Sequence, residues 1–182
     1  MKARAFAFNL IINIIVNAVI SFVISGIDCI NSANAIADPA VKASVFQPAA
    51  FIAPTICGTI VGTVFCMLVP LNDVATKFAI GNGAKPGEPM HNIYKFIVFV
   101  LVMVFVESFC CHMILYYLGM NPMYPAGTIA TPVDWLVPIP TYYAPAYLFA
   151  ITFFPIGFAI AAKISGFDPR KLPQEPEGAD EK

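Results

Sequence analysis

The chain has 182 residues and a formal net charge of -1; 59% of its residues are hydrophobic and only 12% are charged. A soluble domain of this size carries about 25% charged residues, so the composition excludes an ordinary soluble fold and predicts an integral membrane protein. The near-neutral charge provides no basic face, and no nucleic-acid partner is predicted. The cysteines form no CxxC pair, so we predict no disulfide framework.

Four segments are long and apolar enough to cross a membrane. About 20 mainly apolar residues span roughly 30 Å of hydrocarbon as a helix, and the candidate spans are residues 5–25, 51–71, 93–117 and 142–162. The links between them are rich in Pro, Gly, Asn and Ala, which is typical of loops. The predicted fold is an all-α bundle of four transmembrane helices.

The spans group into two helical hairpins. The first covers residues 1–77 and the second covers residues 78–163, while residues 164–182 form a Pro-rich, charged tail that we predict to be disordered and cytoplasmic. Shifting the sequence by 90 places aligns Asn17 with Glu107. This match, with several others, predicts two parallel copies of one hairpin, since each copy has an even number of spans.

The basic residues predict the orientation. All Lys and Arg except Lys42 precede the first span, lie between the second and third spans or at their borders, or follow the fourth. Basic residues near short loops stay in the cytoplasm, so both termini are predicted to be cytoplasmic and the membrane to be the inner (cell) membrane. The alternative is a signal peptide cleaved near residues 33–35. It is disfavoured because its apolar region is normally about 7 to 15 residues long.

A polar stripe runs along the first span. Asn9, Asn13, Asn17, Ser21 and Ser25 recur every four residues, and four residues advance an α-helix by about 400°, so they share one slowly drifting face. Lipid offers no hydrogen-bond partners, and this face must therefore meet protein or water. Two interpretations stay open. The stripe either bonds the first two helices together or lines a wet path for a polar solute. On the second interpretation the three asparagines are candidates for binding the solute or waters, and the two serines are candidates for helix packing.

The second span has a matching surface of small residues. Gly58 and Gly62 form a GxxxG pattern, and Thr55, Thr59 and Thr63 form the adjacent row. Small residues let helix backbones approach closely, and hydroxyl groups can bond across such a contact. We expect this surface to pack against the polar stripe of the first span.

Glu107 lies near the middle of the third span. A charged side chain at the bilayer centre costs on the order of 3 kcal/mol even on insertion scales, so this group must face the bundle interior or stay protonated. Two interpretations stay open: a carboxyl group that exchanges protons, or a permanently protonated acid bonded across helices. Cys111 follows one turn later on the same face and is a further candidate for solute or ion binding.

Metal and redox chemistry are the remaining alternatives near Glu107. His112 lies on another face from Glu107 and Cys111, so one helix cannot bring all three to an ion, and no metal or other cofactor is predicted. Ser108 and His112 share a face, which predicts a hydrogen-bonded core histidine. The cysteines suggest a membrane thiol or quinone enzyme only weakly, because buried cysteines mostly behave as small hydrophobes.

The second span ends in FCMLVPLNDVATKF, where a proline is followed by basic residues. With the polar first helix, residues 8–77 resemble bacterial two-helix membrane hairpins of unassigned function. The resemblance implies a helical hairpin, here in tandem, and implies no activity. The long first link and Glu107 depart from that pattern.

The leading functional prediction is a small transporter or permeation protein in which Glu107 titrates and Asn13 and Asn17 hold a polar solute or waters. The alternative is a non-catalytic membrane subunit whose polar rows serve assembly. No catalytic residue is predicted. The expected partners are the lipid bilayer and either further copies of the chain or a partner membrane subunit.

Overall fold

The computed structural model describes residues 2–35, 48–119 and 131–171. Within these ranges the chain is helical and contains no strand. The elements are α1 (Lys2–Ala35), α2 (Pro48–Leu68), α3 (Leu71–Gly81), α4 (Pro89–Tyr117), α5 (Pro132–Leu136), α6 (Ile139–Ser165) and a 3-10 turn (Pro169–Lys171). By length and composition, α1, α2, α4 and α6 can each cross a membrane. The prediction of an all-α bundle with four spans is confirmed.

The four long helices form a bundle in which α1 and α4 are diagonal neighbours. Among the long helices each of them packs mainly against α2 and α6, and α4 also packs extensively against α3. Phe22, late in α1, meets Phe51, early in α2, edge-on with ring centroids 4.8 Å apart. Phe8, early in α1, meets Phe158, late in α6, at 5.1 Å. α1 therefore runs antiparallel to both α2 and α6. α1 and α4 run parallel, because Ser21 and then Asp28 of α1 meet Glu107 and then His112 of α4.

Apolar side chains cover the outside of the bundle. Ile52, Ile56 and Ile60 of α2 recur every four residues and are each more than half exposed, whereas Gly58 and Gly62 face inward and are buried. An apolar exterior around a more polar interior is the reverse of a soluble bundle. It implies a lipid environment for these helices.

The second span ends earlier than predicted. Pro70 has no amide hydrogen, and its ring clashes with the preceding turn of a helix, so α2 stops at Leu68. The chain restarts as α3, which buries one small-residue face against α4. The domain boundary predicted after residue 77 falls inside α3, and the connection between the two hairpins lies at residues 82–88.

The beginning of the C-terminal tail is ordered. α6 continues past residue 163, and Phe167 then packs edge-on against Phe8 with ring centroids 6.0 Å apart. Residues 164–171, the first part of the predicted disordered tail, thus comprise the end of α6 and a 3-10 turn, with Phe167 in contact with α1. Residues 172–182 lie outside the described part of the chain.

Candidate functional site

Glu107 lies at the centre of the bundle, where α1, α2 and α4 meet. Its side chain is only 1% exposed, and its Oε2 accepts a hydrogen bond from the Ser21 hydroxyl with an O–O distance of 2.5 Å. Asn17, one turn before Ser21 on α1, is also fully buried. Within the described ranges no basic side chain forms an ion pair with Glu107.

Gly58 and Gly62 form the wall against which this cluster packs. A Cβ atom added at Gly62 would lie 2.5 Å from Glu107 Oε1 and 2.9 Å from Asn17 Cγ. A Cβ atom added at Gly58 would collide with the Ser21 hydroxyl. Real Cβ atoms do not make contacts this short, so the GxxxG pattern provides the room in which the polar groups of α1 and α4 meet.

Two buried acceptors in this cluster are unsatisfied. Glu107 Oε1 and Asn17 Oδ1 have no hydrogen-bond partner among the residues that the structure describes, and both side chains converge on Gly62. A buried polar atom without a partner costs about 1–3 kcal/mol. A proton on Glu107 would turn one acceptor into a donor, so the arrangement favours the neutral acid.

A second buried polar cluster lies further along α1 and α4. His112 Nε2 is 2.9 Å from Asp28 Oδ2, and the Tyr142 hydroxyl donates to the other oxygen of Asp28. His112 Nδ1 lies 3.3 Å from the Ser108 hydroxyl. These contacts join α1, α4 and α6, and they place a buried carboxyl group beside an imidazole.

A small cavity, here called the central cavity, separates the two clusters. Glu107 lines one side of it, and Asp28 and His112 line the other. About 10 Å³ is open to the centre of a water molecule, close to the least volume that holds one water. The hydroxyls of Ser21 and Ser108 lie in its walls and supply the polar partners that such a water needs.

The two clusters and the central cavity between them lie one after another along α1 and α4, and we call this arrangement the polar column. Its members are Asn17, Ser21, Glu107, Ser108, His112 and Asp28.

A larger cavity of about 530 Å³ lies at the other end of the polar column. We call it the aromatic cavity, because phenylalanine rings make up much of its lining. Asn9 and Asn13 line it, as do Val16 and Cys66, which adjoin Asn17. Its volume falls within the roughly 300–1,000 Å³ that is usual for ligand pockets.

The predicted asparagine stripe thus serves two environments. Asn17 belongs to the polar column, whereas Asn9 and Asn13 face the aromatic cavity, where Asn13 Nδ2 is 4.0 Å from the Met67 sulfur. Ser25 lines the central cavity. The stripe drifts around α1, so its two ends face different neighbours.

Cys111 contacts α2 as well as the central cavity. Its Sγ lies 3.5 Å from the carbonyl oxygen of Pro54, to which it donates. Across the described ranges no three His, Cys, Asp or Glu residues are placed to hold a metal ion.

The threonine row does not bond across helices as expected. Thr55 and Thr59 donate to the carbonyl oxygens of Phe51 and Thr55, at 2.9 and 2.6 Å, within α2 itself. A threonine hydroxyl in a helix can reach the carbonyl one turn earlier, so this local bond competes with any partner on another helix. Thr63 is buried, and its hydroxyl has no partner in the described part of the chain.

Asp28 and Tyr142 are the site residues that the sequence analysis missed. The first predicted span stopped at Ser25 because 20 residues suffice to cross the hydrocarbon, whereas the 34 residues of α1 reach about 51 Å. The available signal was the spacing of Ser21, Ser25 and Asp28, which continues the polar face in steps of four and three residues.

No family model, curated protein or solved structure matches this chain. The resemblance to bacterial two-helix hairpins therefore stays a prediction.

Proposed function

We propose that this chain is a small transporter or permeation protein in which Glu107 takes up and releases a proton as a polar solute passes. The observation that carries the proposal is the polar column, which connects a ligand-sized cavity to a second buried carboxyl group through the middle of an apolar bundle. Its test is proton flux in reconstituted vesicles.

The position of Glu107 makes it a candidate for a functional role, because intramembrane acids are functional-site candidates by default. A charged side chain at the bilayer centre costs on the order of 3 kcal/mol. A hydrogen bond between membrane helices returns about 0.6 kcal/mol on average, and Glu107 has one such bond, to Ser21. This burial cost applies to the charged form, so Glu107 rests as the neutral acid and becomes charged only while it releases its proton.

The surroundings of Glu107 suggest how a proton moves. With the proton on Oε1, the carboxyl group becomes a donor on the side facing Gly62, where Asn17 also lies, while Ser21 continues to donate to Oε2. A water in the central cavity would connect Glu107 to His112, whose ring is held by Asp28 and Ser108. His112 can then accept the proton through this water, whereas the amide of Asn17 can orient the carboxyl proton but does not itself take it up.

The predicted orientation assigns a direction to this path. With both termini in the cytoplasm, the aromatic cavity opens on the cytoplasmic side, and the pair of Asp28 and His112 lies toward the outside. The remaining titratable groups that adjoin the polar column are the thiols of Cys66 and Cys111 and the hydroxyl of Tyr142.

The test compares Glu107→Gln with wild type in proteoliposomes that carry an internal pH-sensitive dye. Glutamine keeps the shape and the Ser21 bond but cannot release a proton, so flux driven by a pH gradient should disappear. Glu88→Gln, at an exposed position before α4, is the matched control and should leave flux unchanged. Equal flux in wild type and Glu107→Gln would contradict the proposal, and an absence of flux in both would favour an assembly subunit.

A further inference from the structure

We infer that the aromatic cavity binds a small zwitterion with an apolar or aromatic body, such as an amino acid with a large apolar side chain. This inference rests on the proposed function and names the solute class. The reasons are the aromatic walls, a pair of opposite charges and the amide groups between them.

Aromatic rings dominate the walls of the aromatic cavity. They come from α1, α4, α6 and the segment after α6, so the cavity is enclosed by several elements. The rings belong to Phe6, Phe8, Phe96, Phe99, Phe154, Phe158 and Phe167. Burial of an apolar body against such walls lowers the free energy of the complex, and the faces of the rings also attract an ammonium group.

Two opposite charges face the same cavity. Lys95 is half-buried on α4, and Asp73 lies on α3. Within the described ranges neither of them forms an ion pair. The half-buried charge of Lys95 is costly unless it is paired, whereas Asp73 is exposed at the rim of the cavity. A ligand that carries one carboxylate and one ammonium group would pair both.

Amide side chains complete the polar part of the cavity. Asn9 and Asn13 line it from α1, and Asn72 lines it next to Asp73. Each amide both donates and accepts hydrogen bonds, so these residues can orient either end of a zwitterion. Small-molecule sites usually have mainly apolar walls with a few polar groups.

The two charges favour a zwitterion over a simple anion or a simple cation. An anion would use Lys95 and leave Asp73 as a repelling charge, and a cation would do the reverse. A zwitterion satisfies both at once. A ligand of the wrong charge would leave Asp73 or Lys95 unpaired, and this would weaken its binding relative to that of a zwitterion.

The test measures binding to the full-length chain in detergent by isothermal titration. The probes are phenylalanine, 3-phenylpropionate, which lacks the ammonium group, and phenethylamine, which lacks the carboxylate. We expect phenylalanine to bind about tenfold more tightly than either analogue, because each lost charge contact is worth roughly a factor of ten. Equal affinities for the three probes, or no binding of phenylalanine, would overturn the inference.

Variants locate the binding site. Lys95→Gln should weaken phenylalanine binding about tenfold and strengthen phenethylamine binding, because it removes a charge that repels the ammonium group. Asp73→Asn should likewise weaken phenylalanine and strengthen 3-phenylpropionate. Lys85→Gln, at an exposed position outside the aromatic cavity, is the control. Unchanged affinity in Lys95→Gln would overturn the assignment.

The binding test can fail while the proposed proton flux holds, and the reverse is also true. Glu107 does not line the aromatic cavity, so Glu107→Gln should bind phenylalanine with wild-type affinity although it is expected to carry no proton flux. Loss of phenylalanine selectivity with flux intact refutes the solute class alone.

Discussion

Replacing Gly62 with alanine should destabilise the bundle by separating α2 from α1 and α4. The added Cβ atom would lie 2.9 Å from Asn17 Cγ and 2.5 Å from Glu107 Oε1. The terminal methyl of Met103, also 2.9 Å away, can rotate aside, but Cγ is a branch point of a fully buried side chain. The Glu107 carboxyl group is likewise held by Ser21. The helices must therefore move.

Overpacking a core lowers the free energy of unfolding by about 1–3 kcal/mol, and we expect a loss of this size for Gly62→Ala. Alanine also favours a helix over glycine by up to about 1 kcal/mol, which partly masks the clash. Gly26→Ala is the matched control, because it lies in a membrane helix and its new Cβ atom would meet only Phe51 at 3.7 Å, an ordinary contact. The difference between the two variants isolates the steric effect.

The assay is reversible unfolding in mixed detergent micelles, followed by circular dichroism. Gly62→Ala should unfold with an equilibrium constant about 5- to 150-fold larger than that of Gly26→Ala, which corresponds to about 1–3 kcal/mol. Adding Asn17→Ala to Gly62→Ala should recover part of the loss, since the two sites are in contact. Equal stability of Gly62→Ala and Gly26→Ala would refute the close packing on which the central cluster depends.

Two further predictions concern the outer cluster and the thiols. Tyr142→Phe leaves Asp28 without one of its donors and should lower the free energy of unfolding by about 1–3 kcal/mol in the same assay; no change would mean that the Tyr142 hydroxyl does not support the buried carboxyl group. All five cysteines are free thiols, so titration of the denatured protein should give the same thiol number before and after mild reduction. An increase on reduction would revive the redox alternative.

The sequence predicts the spans well because their signal is local. Length and apolarity alone identify four helices, and a spacing of four residues is enough to place Ser21 and Asn17 on one face of α1. The depth of Glu107 and the cost of burying it then predict an interior position. These features depend only on helix geometry and on the absence of hydrogen-bond partners in lipid.

Other features depend on the tertiary arrangement of the helices and could not be predicted from the sequence. The contact of Ser21 with Glu107 requires α1 and α4 to lie diagonally with a particular register, which no local pattern specifies. Asp28 was missed because α1 extends beyond the minimal span. Thr55 was misjudged because its own helix provides a nearer acceptor.

The central claim is that Glu107 is a neutral, water-accessible acid inside the bundle. Infrared spectroscopy of wild type and Glu107→Gln in lipid, in H₂O and in D₂O, tests it most directly. We predict a carbonyl band from a protonated carboxyl group at neutral pH that shifts in D₂O and is missing in Glu107→Gln. Identical spectra for the two proteins would contradict the claim.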